Sequence, residues 1–221
     1  MRKIDTRELV ERLSADARPA APLRSPGLRL LGWLSASVAW IALVVYLMGP
    51  RPDLVVKAAD FRWLVEQAAA AATGVTAAIA AFCSIVPGRP RWERLMPAFP
   101  LAVWVLAVGV GCVADWFGGG LDRSGFAPDW ACFPGIAMVG LVPAVLMAIM
   151  LRKGAPLSPV YSVGLGGLAA AALGDFGLRF FHPTDAGLMV LVWQMGAVAT
   201  LTLAYASLSR GLLQWQHARA H

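Results

Sequence analysis

Charge is what this sequence has least of. Only 14% of its 221 residues are Asp, Glu, Lys or Arg, against about 25% in an ordinary soluble domain. A chain that is 58% hydrophobic, with a mean hydropathy of +0.64, lacks the polar side chains to cover itself in water. Histidine is also scarce: there are three, two of them in the last five residues, which leaves few general bases. No GxSxG, HExxH, GxxxxGK[ST] or GxGxxG occurs, so the usual signatures of nucleophilic, zinc-dependent and nucleotide-dependent catalysis are missing. The expectation is a protein that is not an enzyme and carries no cofactor. The three cysteines, Cys83, Cys112 and Cys132, make no CxxC or other compact metal spacing, and their odd number leaves at least one thiol unpaired within the chain. Whether a metal binds is left open. The apolar runs do not alternate with polar residues, which argues against a membrane β-barrel.

What is present in quantity is long apolar runs. Six reach the roughly 18–20 residues that cross a bilayer: about 28–48, 61–86, 95–117, 130–151, 160–181 and 186–208. The predicted fold is all-α, a polytopic membrane protein of six transmembrane helices. The first run is too long for a signal-peptide core and lacks a convincing cleavage site, so it is expected to remain as a span. The net charge of +6 reflects Lys and Arg flanking the spans rather than a soluble basic domain, so no direct contact with nucleic acid is expected. Thirteen Lys and Arg lie in the two terminal segments and the two turns on their side, and three lie in the opposite loops. That bias places both termini in the cytoplasm. Short connections make consecutive helices antiparallel. Gly167 and Ala171, and Ala69, Ala72 and Gly74, are candidate seams for close helix approach. Trp33, Trp63, Trp92, Trp116 and Trp130 fall near span ends, the position of interfacial anchors.

Three segments follow from this reading: residues 1–27 as an amphipathic helix and proline-containing linker, 28–208 as the six-helix membrane domain, and 209–221 as a cytoplasmic tail. Residues 4–16 read as a short helix, with Asp5 or Thr6 as N-cap. Thr6, Val10 and Leu13 lie near one face with Leu9 beside them, and Glu8 and Arg12 are spaced to pair on the opposite side. So short a helix is marginal alone and must dock on something.

Two groups of side chains carry candidate chemistry. Cys112, Cys132 and His182 fall at similar depth on the outer side, with Asp115, Asp129 and Asp185. Thiol and imidazole can ligate a metal, two thiols can form a disulfide in an oxidising envelope, and each residue can also be read as packing or turn structure. Cys83, at the inner end of the second span, reads as structural. Within spans, Glu66 and the pair Asp175 and Arg179 are ionisable. The last two, at i,i+4, are expected to pair along one face with Arg179 reaching outward. Carboxylates are missing from the middles of the other four spans, which counts against a coupled transporter, although a membrane thiol redox or small-solute transport protein stands as the alternative function.

The chain resembles the NrsF-type negative regulators of sigma F, bacterial inner-membrane anti-sigma factors. The resemblance lies in the opening helix Arg7-Glu-Leu-Val-Glu-Arg-Leu-Ser-Ala-Asp-Ala17, in Cys132 followed by an apolar span to Leu151-Arg-Lys-Gly-Ala-Pro156, and in the Gly/Ala-rich stretch Gly164–Gly174. It implies a protein that sequesters an extracytoplasmic-function sigma factor at the membrane and releases it under envelope, oxidative or metal stress. The implied sigma-factor contact is Arg7, Glu8, Leu9, Val10, Glu11, Arg12 and Leu13. Cys132 matches the family's first outer-side cysteine. The second, just before the sixth span, has no counterpart in Phe181-His-Pro-Thr-Asp185. Either His182 stands in as a metal ligand, or Cys112 as the thiol partner, or the signal is a different one.

Overall fold

The computed structural model describes residues 6–15, 23–119, 131–154, 158–183, 190–209 and 211, and all of its regular elements among these are helical. The helices are α1 (Thr6–Ala15), α2 (Pro26–Met48), α3 (Leu54–Lys57), α4 (Phe61–Ser84), α5 (Ala98–Gly119), α6 (Cys132–Leu151), α7 (Pro159–Leu178) and α8 (Val190–Ser207). A 3₁₀ turn, Arg91–Leu95, precedes α5. Six of these segments are long and apolar enough to cross a membrane. The 23 residues of α2 measure roughly 34 Å at 1.5 Å per residue, enough for a hydrocarbon core of about 30 Å.

Local chemistry sets the helix ends. Ser25 caps α2, its Oγ accepting from the Leu28 amide at 3.4 Å, and Pro26 presets the first turn. Gly49 stops α2 at φ +80°, a conformation that costs other residues a steric clash. Asp60 caps α4 by accepting from the Arg62 amide at 3.0 Å. The fifth span is shorter than its apolar run suggests: α7 ends at Leu178, and the next residues tighten into turns, Phe180 N–H to the Gly177 carbonyl and Phe181 N–H to Leu178. The sixth opens as a π-helical segment, Val190–Gln194, rather than as a plain α-helix, with Gln194 turned inward and buried.

The bundle is organised around α7. Over an 18-residue stretch of α7, 72% of residues are buried, against 22% for α2 and for α8, and α4, α6 and α8 all pack on it. Its sequence explains the role, because only small residues let three helices close on one. A Cβ on Gly174 would stand 2.6 Å from the Ile136 carbonyl oxygen, and one on Gly140 would stand 3.0 Å from the Ala170 carbonyl oxygen. The α6 and α7 backbones are therefore in near contact. Gly74 of α4 makes room for the Leu173 side chain, and Gly167 for that of Tyr205. Of the expected seam residues, Ala69 and Ala171 are buried but Ala72 faces outward; α4 turns the other side of that helical turn toward α7.

Polarity is inverted relative to a soluble bundle. Leu28, Leu31, Tyr46, Leu47, Phe99 and Leu106 are among the exposed apolar side chains, while Ser37, Glu66, Gln67, Thr73, Asp175 and Arg179 are buried. Two tryptophans read as interfacial anchors belong to this interior. Trp33 is fully buried and donates Nε1–H to the Pro143 carbonyl at 2.9 Å; Trp63 is buried edge-on to Phe180. An indole bonded across a helix pair clamps α2 to α6 instead of marking a lipid boundary. Trp92 is exposed, as expected. The Trp116 side chain and Trp130 lie outside the described residues.

Candidate functional site: an exposed terminal helix and a buried ion network

The helix expected at residues 4–16 is present as α1. Glu8 in its first turn complements the helix dipole. Arg7, Glu8, Leu9, Val10 and Glu11 are all exposed, Leu9 at 44% and Val10 at 58%. Arg12 and Leu13 are helical, but their side chains lie outside the described residues, as does Asp5, the proposed cap. The Glu8–Arg12 pair and the full apolar face therefore fall partly outside them as well.

The three sensing candidates occupy different surroundings. Cys132 opens α6 and is buried at 1% exposure among Ile136, Leu178 and Ala197, where α6, α7 and α8 meet. Cys112 is half-buried on α5, and none of the three cysteines is in a disulfide. His182 is half-buried just beyond α7, its backbone N–H donating to the Leu178 carbonyl at 2.9 Å. His182 and the α6 residues Pro134 and Met138 line one cavity of about 360 Å³, so the imidazole and the start of α6 share an end of the bundle. Among the described residues, no three His, Cys, Asp or Glu side chains gather as a metal site. Asp115, Asp129 and Asp185 fall outside the described side chains.

At this same end lies a network that sequence reasoning saw only in pieces. Arg179 does not reach outward. It is buried at 3% exposure and its Nη2 stands 2.9 Å from Glu66 Oε2, joining α7 to α4. The reason is electrostatic: a guanidinium held inside an apolar bundle needs a carboxylate, and Glu66 is the one that α4 delivers at that depth. Arg62 Nε adds a second cation 3.6 Å from Glu66 Oε1, and the Arg62 guanidinium lies flat on α5 at Gly111, where a Cβ would come within 3.1 Å of it. Gln67 donates Nε2–H to the Phe176 carbonyl at 3.2 Å. Asp175, one turn before Arg179, is buried at 1% exposure and its Oδ1 has no hydrogen-bond partner among the described residues. Glu66 thus takes two arginines, Arg62 from its own helix and Arg179 from α7.

The loop beside His182 is tied down by Arg51, which the sequence marks only as a loop charge. Arg51 grips Asp53 through two bonds of 2.6 and 2.8 Å. It also donates to the carbonyls of His182 and Pro183 at 3.3 Å each, and its own amide donates to Phe180 at 2.9 Å. The guanidinium holds the Asp53 carboxyl below the usual carboxylate range, chiefly by hydrogen bonding. The signal that could have found the Glu66–Arg179 pair was the presence of one acid and one base at matching depth in two different spans.

At the other end, the turn after α4 is fastened internally. Arg89 pairs with Glu93 at 2.8 Å and donates to Cys83 Sγ at 3.4 Å. Ser84 Oγ bonds Ser162 Oγ at 2.8 Å, and Tyr161 donates to the Arg94 carbonyl at 2.9 Å. Cys83 is buried within this knot, consistent with a structural role.

No curated protein and no solved structure matches the chain. A family model described as negative regulator of sigma F matches residues 13–215, beginning near the end of α1 and running through α8. That match covers most of the chain, and the six-helix frame, the Gly/Ala-rich α7 and Cys132 at the head of α6 all lie within it: the chain belongs to the NrsF family of negative regulators of sigma F.

Proposed function

We propose that this protein is a bacterial inner-membrane anti-sigma factor that sequesters an extracytoplasmic-function sigma factor and releases it under envelope, oxidative or metal stress. The observation that carries the reading is the family match over residues 13–215. The charge bias of the loops supports six spans with both termini in the cytoplasm, and the division into residues 1–27, 28–208 and 209–221 follows from that topology. In this reading α1 is the sigma-binding element. Leu9 and Val10, exposed on a helix too short to be stable alone, supply the apolar contact, and Arg7, Glu8, Glu11, Arg12 and Leu13 complete it. Binding there keeps the sigma factor from core polymerase without any chemical step.

The periplasmic signal enters in this reading at Cys132 and His182. Cys132 is sealed between three helices, so an oxidant or metal that reaches its thiol must first part α6 from α7 and α8. That movement is opposed by the near-contact at Gly140 and Gly174 and by the Arg51 clasp on the His182 loop. Reaction at the thiol is therefore tied to a rearrangement of the bundle, which α6 and α2 transmit to the opposite face. The test is co-purification of the sigma factor encoded beside this gene, using the intact protein and a form lacking residues 1–20. The intact protein should retain the sigma factor and the truncated form should lose most of it. Equal retention would remove α1 from the mechanism, and no retention by either would sink the anti-sigma reading for this partner.

A further inference from the structure

Between the N-terminus of α2 and the C-terminus of α6 lies a cavity of about 680 Å³. Every charged side chain in its lining is a cation: Arg24, Arg29 and Lys153. None of the three has a carboxylate within 4 Å among the described residues, whereas Arg51, Arg62, Arg89 and Arg179 all do. Arg24 and Lys153 stand exposed at the rim. Arg29 sits deeper, 6% exposed, its guanidinium 4.5 Å above the Phe82 ring. Its Nη2 donates to the Met150 carbonyl at 2.7 Å, and its Nη1 has no hydrogen-bond partner among the described residues. The positive end of the α2 dipole and the negative end of the α6 dipole both face the cavity and offset each other, so its positive field comes from the three side chains. Leu23, Leu28 and Met150 give the lining its apolar surface; Leu28 is 60% exposed, and so is Leu31, outside the lining and nearly one turn further along α2.

A site with three cations that lack a carboxylate, two exposed at the rim and one deeper, beside exposed leucines fits an amphiphile with an oxyanion head. We propose that this cavity binds an anionic phospholipid of the leaflet on the N-terminal side, the phosphate between Arg24, Arg29 and Lys153 and an acyl chain along Leu28 and Leu31. Phosphate chemistry alone would also admit free inorganic phosphate, but that ligand has no use for the exposed leucines. Basic pockets between helices at this level of a membrane protein are suited to such headgroups. The site begins at Leu23, after α1 in the chain, so its occupant fixes the first anchored point that follows that helix. The inference rests on membrane insertion and not on the sigma-factor reading.

The test is native mass spectrometry of the detergent-solubilised full-length protein titrated with phosphatidylglycerol, with phosphatidylcholine and with inorganic phosphate as a competitor. Arg24→Gln with Lys153→Gln changes only exposed side chains and should leave the fold intact. Phosphatidylglycerol should bind the unmodified protein in preference to phosphatidylcholine. The double variant should bind it about 25-fold more weakly, at about five-fold per cation. Equal affinity of the two proteins, equal binding of the two lipids, or displacement by inorganic phosphate at concentrations matching the lipid would each overturn the proposal. A chain that stays soluble without detergent would overturn membrane insertion along with the site, whereas one that reconstitutes but does not discriminate the lipids would overturn the site alone.

Discussion

The two ends of the bundle hold their arginines in opposite states. At the end that carries the His182 loop, Arg51 and Arg179 are each 3% exposed and each ion-paired, at 2.6 and 2.9 Å. At the end that carries the N-terminus of α2, Arg24, Arg29 and Lys153 share one cavity without a carboxylate, although Arg89 nearby is paired with Glu93. Counting Lys and Arg sorts loops by side but does not separate charges that hold helices together from charges that remain available to an outside anion. Neutralisation separates them: one end spends its cations on internal closure, and the other leaves three for a ligand. The first end should therefore fail by losing stability and the second by losing a partner.

The sharpest way to break this comparison is to orphan Arg179. Glu66→Ala leaves a buried guanidinium without its carboxylate and should cost about 3–5 kcal/mol, read as a large drop in the thermal unfolding midpoint in detergent. Replacing both partners with leucine should recover most of that loss, because a matched apolar pair carries no desolvation penalty. If Glu66→Ala melts like the unmodified protein, the network is not what closes this end.

A second prediction contrasts the seam around α7 with the outward faces. Gly174→Ala forces a Cβ to 2.6 Å from the Ile136 carbonyl oxygen, a backbone atom that cannot rotate away. Parting α6 from α7 should cost about 1–3 kcal/mol. Gly109→Ala on α5 meets nothing within 4 Å and should fall within about 1 kcal/mol of the original, on the stabilising side. The same melting measurement serves both. Equal effects would mean that the near-contact of α6 and α7 does not set the stability of the bundle.

The positions of the six helices were legible because an apolar run of twenty residues has few other uses. Their ends were legible to within a few residues; α7 stops early at Leu178, where the following amides tighten onto the Gly177 and Leu178 carbonyls. What the sequence did not disclose is which apolar surface meets protein and which lies at the outside. Hydropathy is blind to that choice, since a membrane protein is greasy on both faces. Trp33 and Trp63 were misread as boundary anchors for this reason, and Ala72 as a seam residue. The Glu66–Arg179 pair was missed for another: its partners are far apart in the chain, and pairing between spans depends on helix adjacency, which the order of apolar runs leaves undetermined. Of the candidate site, α1 was readable from its own periodicity. The burial of Cys132 was not, because it comes from three helices converging.

The smallest expected effect concerns Asp53, and it tests whether the Arg51 clasp belongs to the closed end or merely decorates it. The carboxyl is held below its usual range by the Arg51 hydrogen bonds. With the folded value below an unfolded value of about 3.9, the unfolded chain binds the proton first as pH falls. The contribution of the clasp is therefore complete above about pH 4 and is lost as pH drops through the folded value. Asp53 is partly exposed, so solvent screens the pair and the effect is local loosening rather than global unfolding. Hydrogen exchange at the Arg51 amide, which donates to the Phe180 carbonyl, should quicken below that pH once intrinsic rates are corrected. Asp53→Asn should show the faster exchange already at neutral pH and no acid-dependent step. If the variant instead keeps the acid-dependent step, a different group titrates there. If it shows neither the step nor faster exchange, the carbonyls of His182 and Pro183, which need no proton to accept from Arg51, are what holds the loop.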